Sequence, residues 1–187
     1  MQVNRCGWVS EDPLYQDYHD KVWGRPEYDA KQLFAKLCLD GQQAGLSWIT
    51  ILKKQQNYEQ LFAGFEPSLI AEFDQDRVEA LMLDPGIVRN RLKINSIIKN
   101  AKAYLAFVEQ GNDFSVFLWS FVGGTPKVNL FSSLSQVPAQ TPESEAMSKA
   151  LKKLGFNFVG PTICYAFMQA VGMVNDHTTD CHCHGQY

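Results

Sequence analysis

The chain has 187 residues and a formal net charge of -3, and 45% of its residues are hydrophobic and 12% aromatic. This composition predicts a globular protein with a buried core, no stretch is long and apolar enough for a membrane span, and the charge means that any nucleic-acid binding must come from a local basic face. The first residues lack the apolar run of a signal peptide and the five cysteines are an odd number, so we expect reduced thiols and a cytoplasmic protein.

Apolar residues recur at helical spacing almost throughout, which predicts an all-α fold. Asp29 begins the first predicted helix in the manner of a capping box, since Gln32 follows three residues later. Further helices are predicted over residues 47–58, 67–73, 74–82, 89–110, 114–121, 142–153 and 161–171. The aromatic run 114–121 could instead form a buried strand. Residues 125–141 contain prolines and several serines, so they are predicted to form an irregular loop.

Cysteine and histidine residues occur near both ends of the sequence, and no histidine lies between His19 and His177. Cys6 precedes His19, and Cys181 follows His177 at the i, i+4 spacing that places two side chains on one face of a helical turn. These residue types form closed tetrahedral zinc sites. The pattern predicts a structural metal clasp, although the alternative is that the four residues are unrelated. The tail also contains competing ligands of the same chemistry, namely His182, Cys183 and His184.

A short turn at residues 83–88 joins two predicted amphipathic helices. Gly86 would let backbone N–H groups approach an anion, and the N-terminus of the next helix adds a partial positive charge. Basic residues in the second helix would form a local basic face, namely Arg89, Arg91, Lys93, Lys99 and Lys102. The pattern indicates a phosphate clamp, and an ordinary helical corner with a solvated basic helix is the alternative.

Residues 39–48 combine glycines, amides, an acid and a tryptophan between two predicted helices. Asp40 lies near the C-terminal end of its helix, where the helix dipole disfavours a carboxylate by about 0.3–1 kcal/mol. A functional role would explain this choice, and an exposed carboxylate is the alternative. Nearby aromatic residues could stack on a flat ligand or belong to the core, namely Trp8, Tyr15, Tyr18 and Trp23.

Together these motifs closely resemble the bacterial 3-methyladenine DNA glycosylase I family. The residues that carry the resemblance are Cys6-Gly7-Trp8, Asp12-Pro13-Leu14-Tyr15, Tyr18-His19-Asp20, Trp23-Gly24, residues 41–50, residues 156–162 and Asn175-Asp176-His177. The resemblance implies one helix-hairpin-helix glycosylase domain over residues 1–187, with the hairpin near residues 83–88. It also implies that a structural zinc joins the N- and C-terminal segments, in a lobe formed by residues 1–30 and 160–187.

The family's functional residues map onto this sequence position by position. The implied zinc ligands are Cys6, His19, His177 and Cys181. The implied base pocket contains Asp40 and Tyr18 in catalytic roles, with base-binding residues Trp48, Tyr15, Trp8 and Trp23. The implied DNA contacts are Gly86, Ile87, Arg89, Leu46 and Gln43, with Leu46 against the gap left by the extruded base. The expected partner is double-stranded DNA containing 3-methyladenine, bound by a monomer.

Methylation at N3 makes adenine cationic and a good leaving group, so the enzyme's main task would be selection. A cationic base gains from an aromatic face and a nearby carboxylate, whereas neutral adenine does not. The family usually has glutamate where this chain has Asp40, whose reach is shorter by about 1.5 Å. No general base is assigned, since Asp113 resembles a turn residue.

Two other classes of protein remain open from the sequence. A noncatalytic damage-binding protein would have the same hairpin and pocket but would release no base. A bifunctional glycosylase/lyase would need a Schiff-base lysine near the hairpin. Lys93 is the candidate, and the pattern gives it no desolvating surroundings.

Overall fold

The structure of the chain is a computed structural model that describes residues 3–187, and it is mostly helical. In chain order the α-helices are α1 (Pro13–Lys21), α2 (Ala30–Gln42), α3 (Trp48–Leu52), α4 (Gln55–Leu61), α5 (Pro67–Ile70), α6 (Gln75–Met82), α7 (Arg91–Glu109), α8 (Phe114–Trp119), α9 (Pro142–Leu154) and α10 (Pro161–Ala170). Two short strands, β1 (Lys127–Val128) and β2 (Val174–Asn175), form a parallel pair. Within the described residues, no helix combines the length and apolarity needed to cross a membrane.

The predicted helices occur in the predicted order, with two main differences. The segment predicted as one helix over residues 47–58 is two helices, α3 and α4, separated at Lys53 and Lys54. No helix was predicted at α1, whose nine residues mix aromatic and charged side chains without an apolar stripe. The aromatic run from Phe114 is helical, so the strand alternative is wrong.

Side-chain caps set where several helices begin. Asp29 accepts a hydrogen bond from the Gln32 N–H at 2.9 Å, as its position at the start of a helix predicts. Asn90 accepts one from the Lys93 N–H at 3.1 Å, so α7 begins at Arg91 rather than at the predicted position 89.

The region predicted as an irregular loop, residues 125–141, contains β1 and a short 3₁₀ helix, Leu134–Gln136. The Lys127 N–H donates to the Met173 carbonyl at 3.0 Å, and the Asn129 N–H donates to the Asn175 carbonyl at 3.1 Å. Most of the segment is therefore a loop, as predicted, and the short strand and 3₁₀ helix were not predicted. The strand pair ties this region to the segment after α10.

The core is formed by the apolar faces of α2, α7 and α10. Leu33, Leu37, Ile94 and Ile97 are fully buried, and α10 packs against both α2 and α9. Leu92, which the sequence pattern includes in the apolar stripe of α7, is 72% exposed. It lies in the first turn of that helix and faces away from the core. Each Å² of apolar surface removed from water contributes about 25 cal/mol to stability, so this core is the main stabilising feature.

Candidate active site

Four metal-ligand residues from the two ends of the sequence meet in the interior. Cys6, His19, His177 and Cys181 are all buried, and their ligand atoms lie within 4.8 Å of one another. The Cys181 Sγ lies 3.5 Å from His19 Nε2 and 3.5 Å from His177 Nδ1, and Cys6 Sγ lies 3.5 Å from the same His177 atom. We call these four residues the Cys/His cluster. Their donor atoms suit a divalent metal with a preference for nitrogen and sulfur.

The outer nitrogen of each histidine in the cluster has its own partner. His19 Nδ1 lies 2.8 Å from Asp20 Oδ1, and His177 Nε2 lies 3.1 Å from the Trp23 carbonyl oxygen. Arg5 pairs with Asp20 at 2.7 Å and lowers the pKa of that carboxyl to about 2. Such outer partners fix the ring orientation, so the inner nitrogen faces the cluster. The cluster therefore has the ring arrangement of a metal site.

The prediction that His177 and Cys181 share a helical turn is wrong. They follow β2, and the Cys181 N–H donates to the Thr178 carbonyl at 2.8 Å in a tight turn. The turn brings the two side chains together at the spacing that a helix would give. Two other groups of possible metal ligands include the competing residue Cys183. One adds His182 and the other adds Asp20, and neither of these two residues is buried.

A cavity of about 410 Å³ adjoins the cluster. Its lining includes all six predicted pocket residues, Trp8, Tyr15, Tyr18, Trp23, Asp40 and Trp48, and also Gln43, which was predicted as a DNA contact. Other lining residues have no predicted role in the pocket, and they include Lys36, Leu134, Val137, Pro138, Ala139, Asp176 and several residues of α10. The structure therefore brings together all the residues implied for the base pocket.

One wall of the cavity is aromatic and packs against the Cys/His cluster. The ring centroids of Trp8 and Trp23 are 5.0 Å apart, and Trp23 meets the His177 ring edge-on at 4.7 Å. Gly24 follows directly, and a Cβ at this position would lie 2.8 Å from His177 Nε2. These contacts mean that the shape of the wall depends on the cluster.

Asp40 is 2% exposed, so the alternative of an exposed carboxylate is wrong. One carboxylate oxygen accepts a hydrogen bond from Lys36 Nζ at 2.8 Å, whereas the other oxygen is buried and has no partner in residues 3–187. Burial raises the pKa of Asp40, and the charge of Lys36 opposes that shift. Trp48 Nε1 is also buried without a partner. Two polar atoms of the pocket therefore have unused hydrogen-bonding capacity.

Sequence reasoning missed Lys36 as a pocket residue. Its ammonium lies 3.3 Å from the centroid of the Trp48 ring, within cation–π distance, and 5.5 Å from that of Tyr18. One feature of the sequence could have identified Lys36. Its i, i+4 spacing from Asp40 is the spacing of an ion pair on a helix.

Asp176 is a second pocket carboxylate without a predicted role. It is 3% exposed, and it accepts hydrogen bonds from Tyr165 Oη, Gln169 Nε2 at 2.9 Å and Asn129 Nδ2 at 2.7 Å. The Asp176 carboxylate is therefore already hydrogen-bonded to three donors of the protein itself. Asp113, in contrast, caps α8 outside the pocket, which agrees with its interpretation as a turn residue.

The turn between α6 and α7 contains Gly86, as predicted. Its N–H donates to Asp84 Oδ1 at 2.8 Å, and its carbonyl accepts from Asn57 Nδ2 at 3.2 Å. A Cβ at Gly86 would lie 2.9 Å from Asp84 Oδ1 and 3.1 Å from the Asn57 amide. A Cβ would therefore displace the two side chains that hold the N–H and the carbonyl of this turn. Ile87 is buried at 2% exposure, so only its main chain is available for a DNA contact.

The predicted basic face of α7 is smaller than expected. Lys93 is buried and donates to the carbonyl oxygens of Gln42 at 2.9 Å and Ala44 at 2.6 Å. The interpretation that Lys93 lacks desolvating surroundings is therefore wrong, and burial lowers its pKa. Arg91 pairs with Glu79. Arg89, Lys99 and Lys102 are exposed.

A chain of hydrogen bonds joins the turn to the end of α2. The Val88 N–H donates to Tyr58 Oη at 3.1 Å, and that hydroxyl donates to Gln42 Oε1 at 3.2 Å. Gln42 and Lys93 also bond to each other's carbonyls. Leu46, in the loop after α2, is 40% exposed. The turn and this loop are thus held together beside the cavity.

Replacing Gly86 by alanine should weaken binding to DNA of any sequence by about tenfold, because the turn must shift to relieve the contacts of the new Cβ and phosphate contacts carry no base information. Fluorescence anisotropy with two unrelated duplexes measures this effect. Gly160→Ala is the matched control, since a Cβ there meets no atom within 4 Å. Equal affinities for Gly86→Ala and the unmodified protein would remove the turn from the DNA interface.

The fold and the cavity define a helical protein with a stacking site for a flat ligand. Residues 8–184 match the family described as methyladenine glycosylase, and the chain belongs to that family.

Two kinds of relative agree with this assignment. The chain is 55% identical to DNA-3-methyladenine glycosylase 1 of Escherichia coli (strain K12) over 182 residues, which cover 97% of each protein. It matches a crystal structure of 3-methyladenine DNA glycosylase I with a TM-score of 0.96 and 55% identity, covering 97% of this chain and all of the other. A structure from Staphylococcus aureus, described as the structural basis of 3-methyladenine recognition, matches with a TM-score of 0.94 and 41% identity over 99% of this chain and 98% of that chain.

Proposed function

We propose that this protein is a monofunctional DNA glycosylase of the helix-hairpin-helix type that hydrolyses the N-glycosidic bond of 3-methyladenine in alkylated DNA. In this proposal residues 1–187 form a single glycosylase domain that acts as a monomer. The observation that carries it is the aromatic cavity of about 410 Å³ with buried Asp40 at its wall, in a chain that belongs to the methyladenine glycosylase family.

Base selection would come from the charge of the methylated base. Trp48 presents a ring face over which the Lys36 ammonium lies in the free protein, and Asp40 has one buried oxygen without a partner among the described residues. A cationic base gains up to about 2 kcal/mol from a desolvated aromatic face and about 1.5–3 kcal/mol from a charged hydrogen bond. Neutral adenine gains neither charge term. Selection by charge is therefore strong enough to distinguish damaged from normal adenine.

Bond cleavage needs little further help from the protein. A damaged base costs less to unstack, so extrusion already favours it. In the pocket Tyr18 would orient the ring, and burial raises the pKa of its hydroxyl, which keeps that group a neutral donor. Water then attacks C1′ of the sugar while the glycosidic electrons leave with the base, and an abasic site remains.

The surface around the pocket supports contact with a DNA backbone. The Gly86 turn, exposed Arg89 and exposed Leu46 belong to segments held together by the Tyr58 and Gln42 hydrogen bonds. Gly86 and Arg89 would contact phosphates, and Leu46 would occupy the gap left by the extruded base, with Gln43 at the pocket edge.

The Cys/His cluster would hold a structural zinc ion. The two thiols and two imidazoles are the donor types that zinc prefers, and all four residues are buried. Zinc bound by four protein ligands supplies no Lewis-acid chemistry, because no coordination position is free for water. Its contribution is to fix the segments that carry Trp8 and Trp23 against the pocket.

Base release tests the proposed function directly. Purified protein is incubated with DNA methylated by an alkylating agent, and free 3-methyladenine is separated and quantified. We expect release from alkylated DNA and none from undamaged DNA. Binding of alkylated DNA without release would assign the protein to the damage-binding class instead.

We also expect no covalent trapping with borohydride on DNA containing an abasic site. A lyase would need a free lysine amine near the hairpin. Lys93 is buried and its Nζ is held by the carbonyl oxygens of Gln42 and Ala44, so the amine is not free to reach the sugar. A trapped adduct that disappears in Lys93→Gln would show lyase activity and contradict the monofunctional mechanism.

A further inference from the structure

Lys93 is a buried cation for which the proposed chemistry has no use. It is 6% exposed, and its Nζ donates to the Gln42 carbonyl oxygen at 2.9 Å and to the Ala44 carbonyl oxygen at 2.6 Å. These oxygens lie at the end of α2 and just beyond it, where a helix leaves carbonyl groups without partners and where its dipole favours a cation. Lys93 belongs to α7, so it caps α2 from a different helix.

The contact between Lys93 and Gln42 is reciprocal and lies close to the Gly86 turn. Gln42 is fully buried, and its Nε2 donates to the Lys93 carbonyl oxygen at 3.1 Å. Lys93 lies in the first turn of α7, the helix that begins after the Gly86 turn. The Tyr58 hydroxyl provides a second link between that turn and Gln42. The end of α2 is therefore fixed to the start of α7, across 51 positions of the sequence.

The loop that carries Leu46 begins at this contact. Residues 45–47 are its exposed part, and Trp48, 8% exposed, fixes the other end at the start of α3. The Leu46 N–H donates to the Gln43 carbonyl oxygen at 2.7 Å, and the Leu46 side chain is 40% exposed. An apolar side chain on a loop held at both ends has little conformational entropy to lose when it inserts into DNA.

We propose that Lys93 is a positioning residue that fixes the Leu46 loop relative to the Gly86 turn, so that a DNA backbone bound at the turn has Leu46 placed at the gap left by the extruded base. This inference rests on the proposed function, in which the turn contacts phosphates and Leu46 occupies the gap. Without the Lys93 contact, insertion would first have to order the loop. Lys93 therefore acts on recognition of the gap and not on affinity for the backbone.

A double-mutant cycle between Lys93 and Leu46 tests this coupling. Fluorescence anisotropy gives the Kd for an intact duplex and for the same duplex with a stable tetrahydrofuran abasic-site analogue, and the ratio of the first Kd to the second is the gap preference. Leu46→Ala should lower the gap preference about tenfold, since apolar contact in the gap is lost. Lys93→Met should lower it by about threefold to tenfold and leave the Kd for intact duplex within about twofold.

The double variant decides whether Lys93 acts through Leu46. Lys93→Met combined with Leu46→Ala should have the gap preference of Leu46→Ala alone, because the position of the loop no longer matters once its apolar tip is removed. Effects of the two substitutions that multiply would show independent actions and would overturn the proposal. An unchanged gap preference in folded Lys93→Met would overturn it as well.

Lys102→Met is the matched control, because Lys102 is in the same helix and is exposed. The substitution removes the same charge and should leave the gap preference unchanged. A fall equal to that of Lys93→Met would show a general effect of charge removal and would contradict the positioning role.

Hydrogen exchange of the unmodified protein tests the fixed loop without any substitution. In the absence of DNA the Leu46 amide should exchange at least about a hundredfold more slowly than the same amide in an unstructured peptide. Exchange at the unstructured rate would show a loop that is not held, and it would overturn the inference even if Lys93→Met does not fold. Release of 3-methyladenine by an unmodified protein that has no gap preference would overturn the inference alone. Absence of release from alkylated DNA would instead refute the proposed function, whatever the gap preference.

Discussion

Replacing His177 by alanine is expected to lower the melting temperature by roughly 10 °C or more and to remove bound zinc in the same step. Metal-binding free energy is folding free energy, and in a chain of this size about 1 kcal/mol corresponds to roughly 2–4 °C. His177 also packs against Trp23 and leaves no space for a Cβ at Gly24. The substitution therefore removes a ligand and the support of the pocket wall. Cys6→Ala should behave in the same way.

Calorimetry and metal analysis of the same samples measure both effects. His182→Ala is the matched control, because His182 is exposed and its Nδ1 lies 2.9 Å from the Asn4 carbonyl oxygen outside the Cys/His cluster. This control should keep its metal and melt within a few degrees of the unmodified protein. A zinc-free protein with an unchanged melting temperature would contradict the structural role of the metal.

Asp40→Asn is expected to lower the single-turnover rate of 3-methyladenine release by about tenfold to a hundredfold, because a charge-assisted hydrogen bond is worth about 1.5–3 kcal/mol. The change keeps the size of the side chain and removes its charge. It also leaves the Lys36 ammonium without its charged partner over Trp48. The free base is neutral because it has taken the glycosidic electron pair, so its affinity, measured in parallel, should fall by less than the rate of release. Full activity with unaltered affinity would exclude Asp40 from the site.

Asp40→Glu separates the length of the acid from its charge. The Lys36 ammonium already lies 2.8 Å from Asp40 Oδ1, so a longer acid at position 40 should crowd the lysine and lower activity. Activity equal to or above that of the unmodified protein would show that the pocket has not adapted to aspartate. Asp113→Asn is the control for carboxylate removal, since Asp113 caps α8 and asparagine is an equally good cap.

The sequence was sufficient to predict most helices, and the family resemblance supplied six of the residues that line the pocket. Local signals explain this success, since caps such as Asp29 and the apolar stripe of α7 do not depend on distant contacts. The β1–β2 pair was not predictable, because each strand has two residues and Asn129 and Asp176, just beyond them, are 47 positions apart. The Cys/His cluster was predicted through a helical turn that does not exist. The correct residues were found because a tight turn gives a similar spacing.

Buried basic residues were the main error at the site. Lysine is rarely buried, so the sequence favours a solvated position for both Lys36 and Lys93. Lys93 is held by two carbonyl oxygens that belong to a segment 49–51 positions away. Lys36 is held by Asp40 and Trp48, and only the first of these partners is visible as a local pattern. The identity of such partners depends on tertiary packing, which periodicity cannot reveal.

The Cys/His cluster also has a consequence for the order of events during protein synthesis. Cys6 and His19 leave the ribosome early, whereas His177 and Cys181 follow only after more than 150 further residues, as the 171-residue separation of Cys6 and His177 shows. The aromatic wall with Trp23 packs on His177, so it cannot form on an unfinished chain. A nascent or truncated product that ends before position 177 would therefore have no complete pocket in which to hold a base.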